Sequence, residues 1–102
     1  MLEAIARIKG WTADLSYEQF IADRMLIDAV ERNLFIIGEA SNQVPDEQRS
    51  RHPEIVWIDI RGMRNVLGHQ YFESSLSVVW ATVRSDLPEL ERALKAWIDS
   101  EP

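Results

Sequence analysis

The feature that most limits what this chain can become is an apolar stripe near its C-terminus. Leu76, Val79, Trp80, Val83, Leu87, Leu90, Leu94, Trp97 and Ile98 recur mostly three and four residues apart, the repeat that puts side chains on one side of an α-helix. Strands would alternate with period two, and no run in the chain does so cleanly. The phase persists through Ser85-Asp86-Leu87-Pro88. A proline is tolerated only in the first turn of a helix, so the pattern predicts either a kink there or a fresh helix capped by Ser85 or Asp86.

The rest of the chain carries the same period. Leu2, Ile5 and Ile8 predict a first helix over 1–9, with Gly10 as its stop signal. Ser16-Tyr17-Glu18-Gln19 has the form of a capping box, with Gln19 three residues beyond the cap. Asp23 can restart the helix. A long helix over 23–44 follows, with Leu26, Ala29, Val30, Ile37, Ala40 and Val44 on its apolar side and Asn33 interrupting it. Pro45-Asp46 ends it, and residues 47–51 can add one turn. A third substantial helix is expected from Ile55 or Trp57 to Leu67, stopped by Gly68. The expectation is an all-α fold: an antiparallel bundle of four main helices with a short extra turn and a kinked last helix, one domain over 1–102. Four tryptophans in 102 residues suggest an apolar face left for a second copy, hence a homodimer.

Composition removes whole classes of chemistry. The chain has no cysteine, so thiolate nucleophiles, disulfides and Cys-ligated zinc are excluded, in keeping with a reducing cytoplasm. No apolar run approaches the roughly 20 residues that span a bilayer, and Met1-Leu2-Glu3-Ala4-Ile5-Ala6-Arg7 has no secretory n-region. The expected compartment is the cytoplasm. Net charge is −6, opposite to the broad basic footprint of most nucleic-acid binders. Any RNA contact must then come from a small local group of arginines.

Phosphate-cradling glycine loops, His-Glu-x-x-His and Gly-x-Ser-x-Gly are all missing. Of the two histidines, His52 sits in the polar run Arg49-Ser50-Arg51-His52-Pro53-Glu54 and reads as a surface or helix-ending residue. His69 has richer company: Arg61 and Arg64 before it, Gly68 directly before, Tyr71 after. On an unbroken helix Arg64 and His69 would point about 140° apart, whereas Asn65 and His69 would share a face. A left-handed break at Gly68 would let His69 swing back toward Arg64. By residue type alone a plainer explanation stands beside the catalytic one. Arginines complement the negative end of a helix, and Asn, His and Tyr can satisfy its last carbonyls.

Arg64-Asn65-Val66-Leu67-Gly68-His69-Gln70-Tyr71 resembles the Arg-x4-His-x-Tyr motif of the HepT toxins, a branch of the HEPN superfamily. The likeness extends to Asp28-Ala29-Val30-Glu31-Arg32-Asn33-Leu34-Phe35-Ile36-Ile37-Gly38-Glu39-Ala40, to His52-Pro53-Glu54-Ile55-Val56-Trp57, and to Val79-Trp80 with Asp86-Leu87-Pro88. It runs in order from about Leu2 to Leu94, although family members commonly begin earlier and the first helix here is short beside theirs. The resemblance implies a HEPN-type helical dimer and the toxin of a toxin–antitoxin pair, with the two motifs facing a cleft on the two-fold axis. The implied activity is that of a metal-independent endoribonuclease using 2′-hydroxyl attack, with no cofactor. It implies Arg64 and His69 as catalytic groups, Asn65, Tyr71 and Arg61 as supporting or substrate-binding groups, and Gly68 as the helix break. It also implies a nucleotidyltransferase antitoxin of the MNT type that transfers AMP to Tyr71. The alternative is a catalytically silent nucleotide- or protein-binding module on the same scaffold.

Overall fold

The computed structural model describes residues 1–55, 57 and 73–100. Every regular element among these is helical: α1 Leu2–Thr12, α2 Tyr17–Ile21, α3 Arg24–Asn42, α4 Asp46–Arg51, α5 Glu73–Ala81 and α6 Leu87–Ser100, with a five-residue π-turn, Thr82–Asp86, joining the last two. The described residues form an all-α bundle, as expected. The third expected helix lies outside the described residues beyond Trp57.

Local chemistry sets the boundaries. Ser16 and Gln19 form the reciprocal capping box at α2, satisfying two amide donors that a helix start leaves free. Asp23 caps α3, its carboxylate accepting from the Leu26 amide at 3.1 Å. Pro45 ends that helix, because a proline disfavours helical angles in the residue before it. It then serves as N-cap of α4, in extended backbone.

One boundary differs from the expectation. Gly10 does not stop α1, which runs on to Thr12. No described glycine has a positive φ. The extra turn buries Thr12, whose hydroxyl donates to the Ile8 carbonyl at 2.8 Å; burial outweighs the roughly 1 kcal/mol that a glycine costs inside a helix. Before Pro88 the backbone passes through the π-turn without leaving helical angles at either end. Ala81 and Leu87 both keep right-handed helical angles, and the Leu87 amide donates to the Thr82 carbonyl five residues back. Proline has no N–H, and its ring crowds the carbonyl four residues earlier. The wider π-turn is the accommodation.

The core joins Ala4, Ile5 and Ile8 of α1, Phe20 of α2, and Ile27, Val30, Leu34 and Ile37 of α3 to Val79, Val83, Leu87, Leu90 and Leu94 of the C-terminal helices. Each fully buried Ile or Leu contributes about 1.5–3 kcal/mol. α1 packs between α3 and α6, while α2 packs on α3 and α5. The C-terminal stripe is buried or partly buried, as its period requires, except at its end, where Ile98 is 59% exposed.

Arg84, in the π-turn, seals the far end of α1. Its guanidinium donates to the carbonyls of Thr12 (2.7 Å), Ala13 (3.4 Å) and Leu15, acceptors near a helix end that lack helical partners. The same group lies 4.4 Å above the Trp80 ring, a cation–π geometry. Trp80 also meets Phe20 at 5.0 Å and Tyr17 at 6.3 Å.

Candidate functional site

The sequence points to the segment 61–71, and Arg61, Arg64, Asn65, Gly68, His69 and Tyr71 all lie outside the described residues. The structure describes the two ends that hold this segment and the long helix α3, which carries the other half of the sequence signature.

The approach is fixed by an aromatic cluster. His52 ends α4, and its ring stacks on Trp97 of α6 with centroids 4.1 Å apart. Its Nδ1 lies 3.3 Å from Glu54 Oε1. Trp57 meets Trp97 edge-on at 6.2 Å and donates its indole N–H to the His52 carbonyl at 3.2 Å. Three polar or aromatic groups from separate stretches thus lock the chain just before the motif. His52 is a helix-ending residue engaged in packing, in line with the reading from its sequence neighbours. On the far side the chain re-enters regular structure at Glu73, the first residue of α5.

α3 holds two buried polar side chains within its apolar face. Asn33 is 6% exposed. Its amide donates to the Ala29 carbonyl at 2.8 Å, and its oxygen accepts from Arg7 Nε at 2.9 Å. Asn33 therefore interrupts the stripe as a clamp between α1 and α3. Glu31 is 1% exposed, and neither carboxylate oxygen has a hydrogen-bond partner among the described residues. Burial pushes its carboxyl above the usual carboxylate range; Arg24 pulls it down, and Asp28 adds to the rise. A carboxylate so placed is costly, since a buried charge needs a partner or takes a proton. Residue-by-residue reading missed Glu31. The available signal was a charged residue at the Ile27+4 and Leu34−3 position of an otherwise apolar face.

The ribonuclease HepT-like family model matches residues 1–97, a span that includes the whole Arg64–Tyr71 motif. The chain belongs to the HepT-like family. Relatives at comparable length include the probable ribonuclease HepT of Thermococcus cleftensis, 42% identical over 89 residues that cover 87% of this chain and 81% of that protein. A provisionally named RNase of Caldanaerobacter subterraneus subsp. tengcongensis is 39% identical over 97 residues, covering 95% and 83%. A provisionally named RNase of Methanocaldococcus jannaschii is 34% identical over 95 residues, covering 93% and 87%. No solved structure matches the chain. For a HepT-like protein, the helical bundle and the sequence order of α3 signature, aromatic approach and motif agree. No helix among the described residues is long and apolar enough to cross a membrane.

Proposed function

We propose that this HepT-like chain is a single-domain, cytoplasmic, metal-independent endoribonuclease and the toxin of a toxin–antitoxin pair. The observation that carries the reading is the family match across 1–97, together with relatives whose names describe ribonucleases. The residues of the motif suit the chemistry. An RNA 2′-oxygen bonds to the adjacent phosphorus as a base removes its proton, and the 5′-oxygen leaves with a proton from an acid. The strand is cut, leaving a 2′,3′-cyclic phosphate. Histidine serves as either base or acid near neutral pH. Each chain brings one motif histidine, His69, and the reaction uses two proton-transfer groups, so a symmetric dimer completes the site.

In this scheme Arg64 grips the phosphate and stabilises the charge growing on its oxygens. Asn65 orients His69 or a phosphate oxygen, Arg61 adds positive charge, and Gly68 turns the chain so that His69 meets Arg64. Tyr71 contacts substrate and is the control point. A nucleotidyltransferase antitoxin transfers AMP from a nucleoside triphosphate to its hydroxyl, and pyrophosphate leaves. The product carries bulk and negative charge beside Arg64, which excludes RNA by occupancy and repulsion.

The test is RNA incubation with wild type and His69→Ala, EDTA present throughout. Wild type cuts; the variant, still folded and dimeric, does not. Equal cutting by both refutes the assignment. Co-expression with the nucleotidyltransferase gives mass increments of AMP that disappear in Tyr71→Phe, and their persistence there moves the modification elsewhere. The net charge of −6 favours a second reading, a silent binding module, which predicts RNA or nucleotide bound but never cut.

A further inference from the structure

Among the described residues, an open apolar groove of about 490 Å³ lies where the start of α1 meets the C-terminal ends of α3 and α6. Leu2, Ile36, Val44, Trp97 and Ile98 help to wall it. Ile98 is 59% exposed, although it completes the C-terminal apolar stripe. The other four are only partly buried, packed against the core from outside. A contiguous apolar surface with a polar rim is the mark of an interaction site.

Two charged side chains of α1, Glu3 and Arg7, line the same groove. Four residues apart, they share one side of the helix and could pair with each other. They do not. Arg7 instead turns its Nε to Asn33 Oδ1 at 2.9 Å, and the buried Asn33 is fixed in turn by its bond to the Ala29 carbonyl. The guanidinium is thus held in a set direction, with both Nη groups unpartnered among the described residues. The Glu3 carboxylate is likewise unpaired there. An anionic ligand in the groove would meet Glu3, and a cationic one would meet Arg7. A second copy, turned through 180°, offers each charge its opposite.

We propose that a second copy of this chain docks in the groove about a two-fold axis, setting Glu3 of each copy against Arg7 of the other and covering both Ile98 side chains. This gives a face to the symmetric dimer of the ribonuclease reading, on which it rests for its purpose. A two-fold interface uses the same patch twice and so must be complementary to itself; an apolar floor with one charge of each sign on α1 meets that condition. Each copy carries a net charge of −6, so two copies repel at a distance, and opposite charges at the contact offset the repulsion locally. Trp97, a wall of the groove, also stacks on His52 and meets Trp57 edge-on. A copy seated there therefore lies beside the aromatic cluster through which the chain approaches its motif.

The experiment is sedimentation velocity of the purified full chain over a concentration series, with circular dichroism and RNA cleavage measured on the same preparations. Wild type is expected to dimerise. Ile98→Glu changes a side chain that stands in water, so it is expected to keep its helicity while weakening the dimer on the order of tenfold or more. Glu3→Lys and Arg7→Glu are each expected to weaken their homodimers by a similar factor, because the two-fold axis repeats every like-charge contact. Mixed together, they are expected to form a heterodimer tighter than either homodimer. Should Arg7→Glu unfold for want of its bond to Asn33, Ile98→Glu and Glu3→Lys decide the question. A wild type that stays monomeric, as a groove made for a different partner would leave it, overturns the proposal. So does a dimer indifferent to Ile98→Glu or to Glu3→Lys. An indifferent dimer that still cuts RNA leaves the ribonuclease reading standing on another face. A dimer that weakens as expected, with RNA left intact by wild type and His69→Ala alike, keeps the face and removes the ribonuclease.

Discussion

Replacing Glu31 by methionine should make the protein more stable, and the gain should depend on pH in a defined direction. Methionine matches glutamate closely in length and has no charge to strand. Glu31 is 1% exposed, with both oxygens unpartnered among the described residues. Leaving such a group unsatisfied costs about 1–3 kcal/mol. Exchanging buried ionic groups for apolar ones of similar volume is often stabilising. For a domain of this size each kcal/mol moves the midpoint by about 4–8 °C, so the expected rise in Tm is about 4–24 °C at neutral pH.

The pH dependence follows from the raised carboxyl of Glu31. Below the ordinary glutamate range both folded and unfolded chains hold the proton, and the residue contributes no slope. As pH rises, the unfolded chain ionises first while the folded chain keeps its proton. Stability contributed at this position is therefore lost until pH passes the folded value, and stays lost above it. The advantage of Glu31→Met over wild type should accordingly be smallest near pH 4 and largest near pH 7.5. Urea midpoints of both proteins at the two pH values measure it, and the difference between them cancels the other carboxylates. A methionine variant equal to or weaker than wild type at pH 7.5 would refute the reasoning, since it would mean the carboxylate is satisfied in the folded protein.

Three further outcomes are expected from thermal or urea unfolding. Gly10→Ala should stabilise by about 0.5–1 kcal/mol, because the position is helical and an added Cβ meets nothing within 4 Å; a loss would mean the helix does not run through it in solution. Ser16→Ala should cost about 1 kcal/mol by opening the capping box, with Gln19→Ala in the same background adding little. Arg84→Ala should cost about 1–2 kcal/mol, and Arg84→Lys most of that, since an ammonium cannot reach three carbonyls while lying flat on Trp80.

Much of the fold was legible because its signals are local. Ser16 with Gln19, Asp23 before an apolar run, and Pro45 each act within a few residues, and each marks the boundary observed. Gly10 misleads for a nonlocal reason: its helix penalty is real, but Thr12 gains a buried place two residues further on. Pro88 announces a disturbance without saying which. The stripe keeps its phase across it because a π-turn absorbs the misfit. Ile98 continues the period yet stands in water, since the spacing of side chains cannot show where the opposing elements end. At the candidate site, the motif Arg64–Tyr71 is legible through likeness to a family. Glu31 was not, because one charged letter in an apolar face has no meaning until its surroundings are known to be dry. The position of His52 was suggested by Pro53, but its stacking on Trp97 joins residues far apart in the chain.

The Arg84 clamp has a consequence for how the chain comes into being. Its three carbonyl partners lie 69 to 72 positions upstream, and Lys9 is tied 82 positions away to Glu91. On a ribosome, α1 stays unfinished at its C-terminal end until residue 84 has been made. Contacts between distant parts of a chain must close a long loop before they give anything back. A nascent chain released before residue 84 would carry a frayed first helix and a bare Trp80 partner surface at Phe20 and Tyr17. The stability of α1 thereby depends on a residue made 69 to 72 positions after its partners.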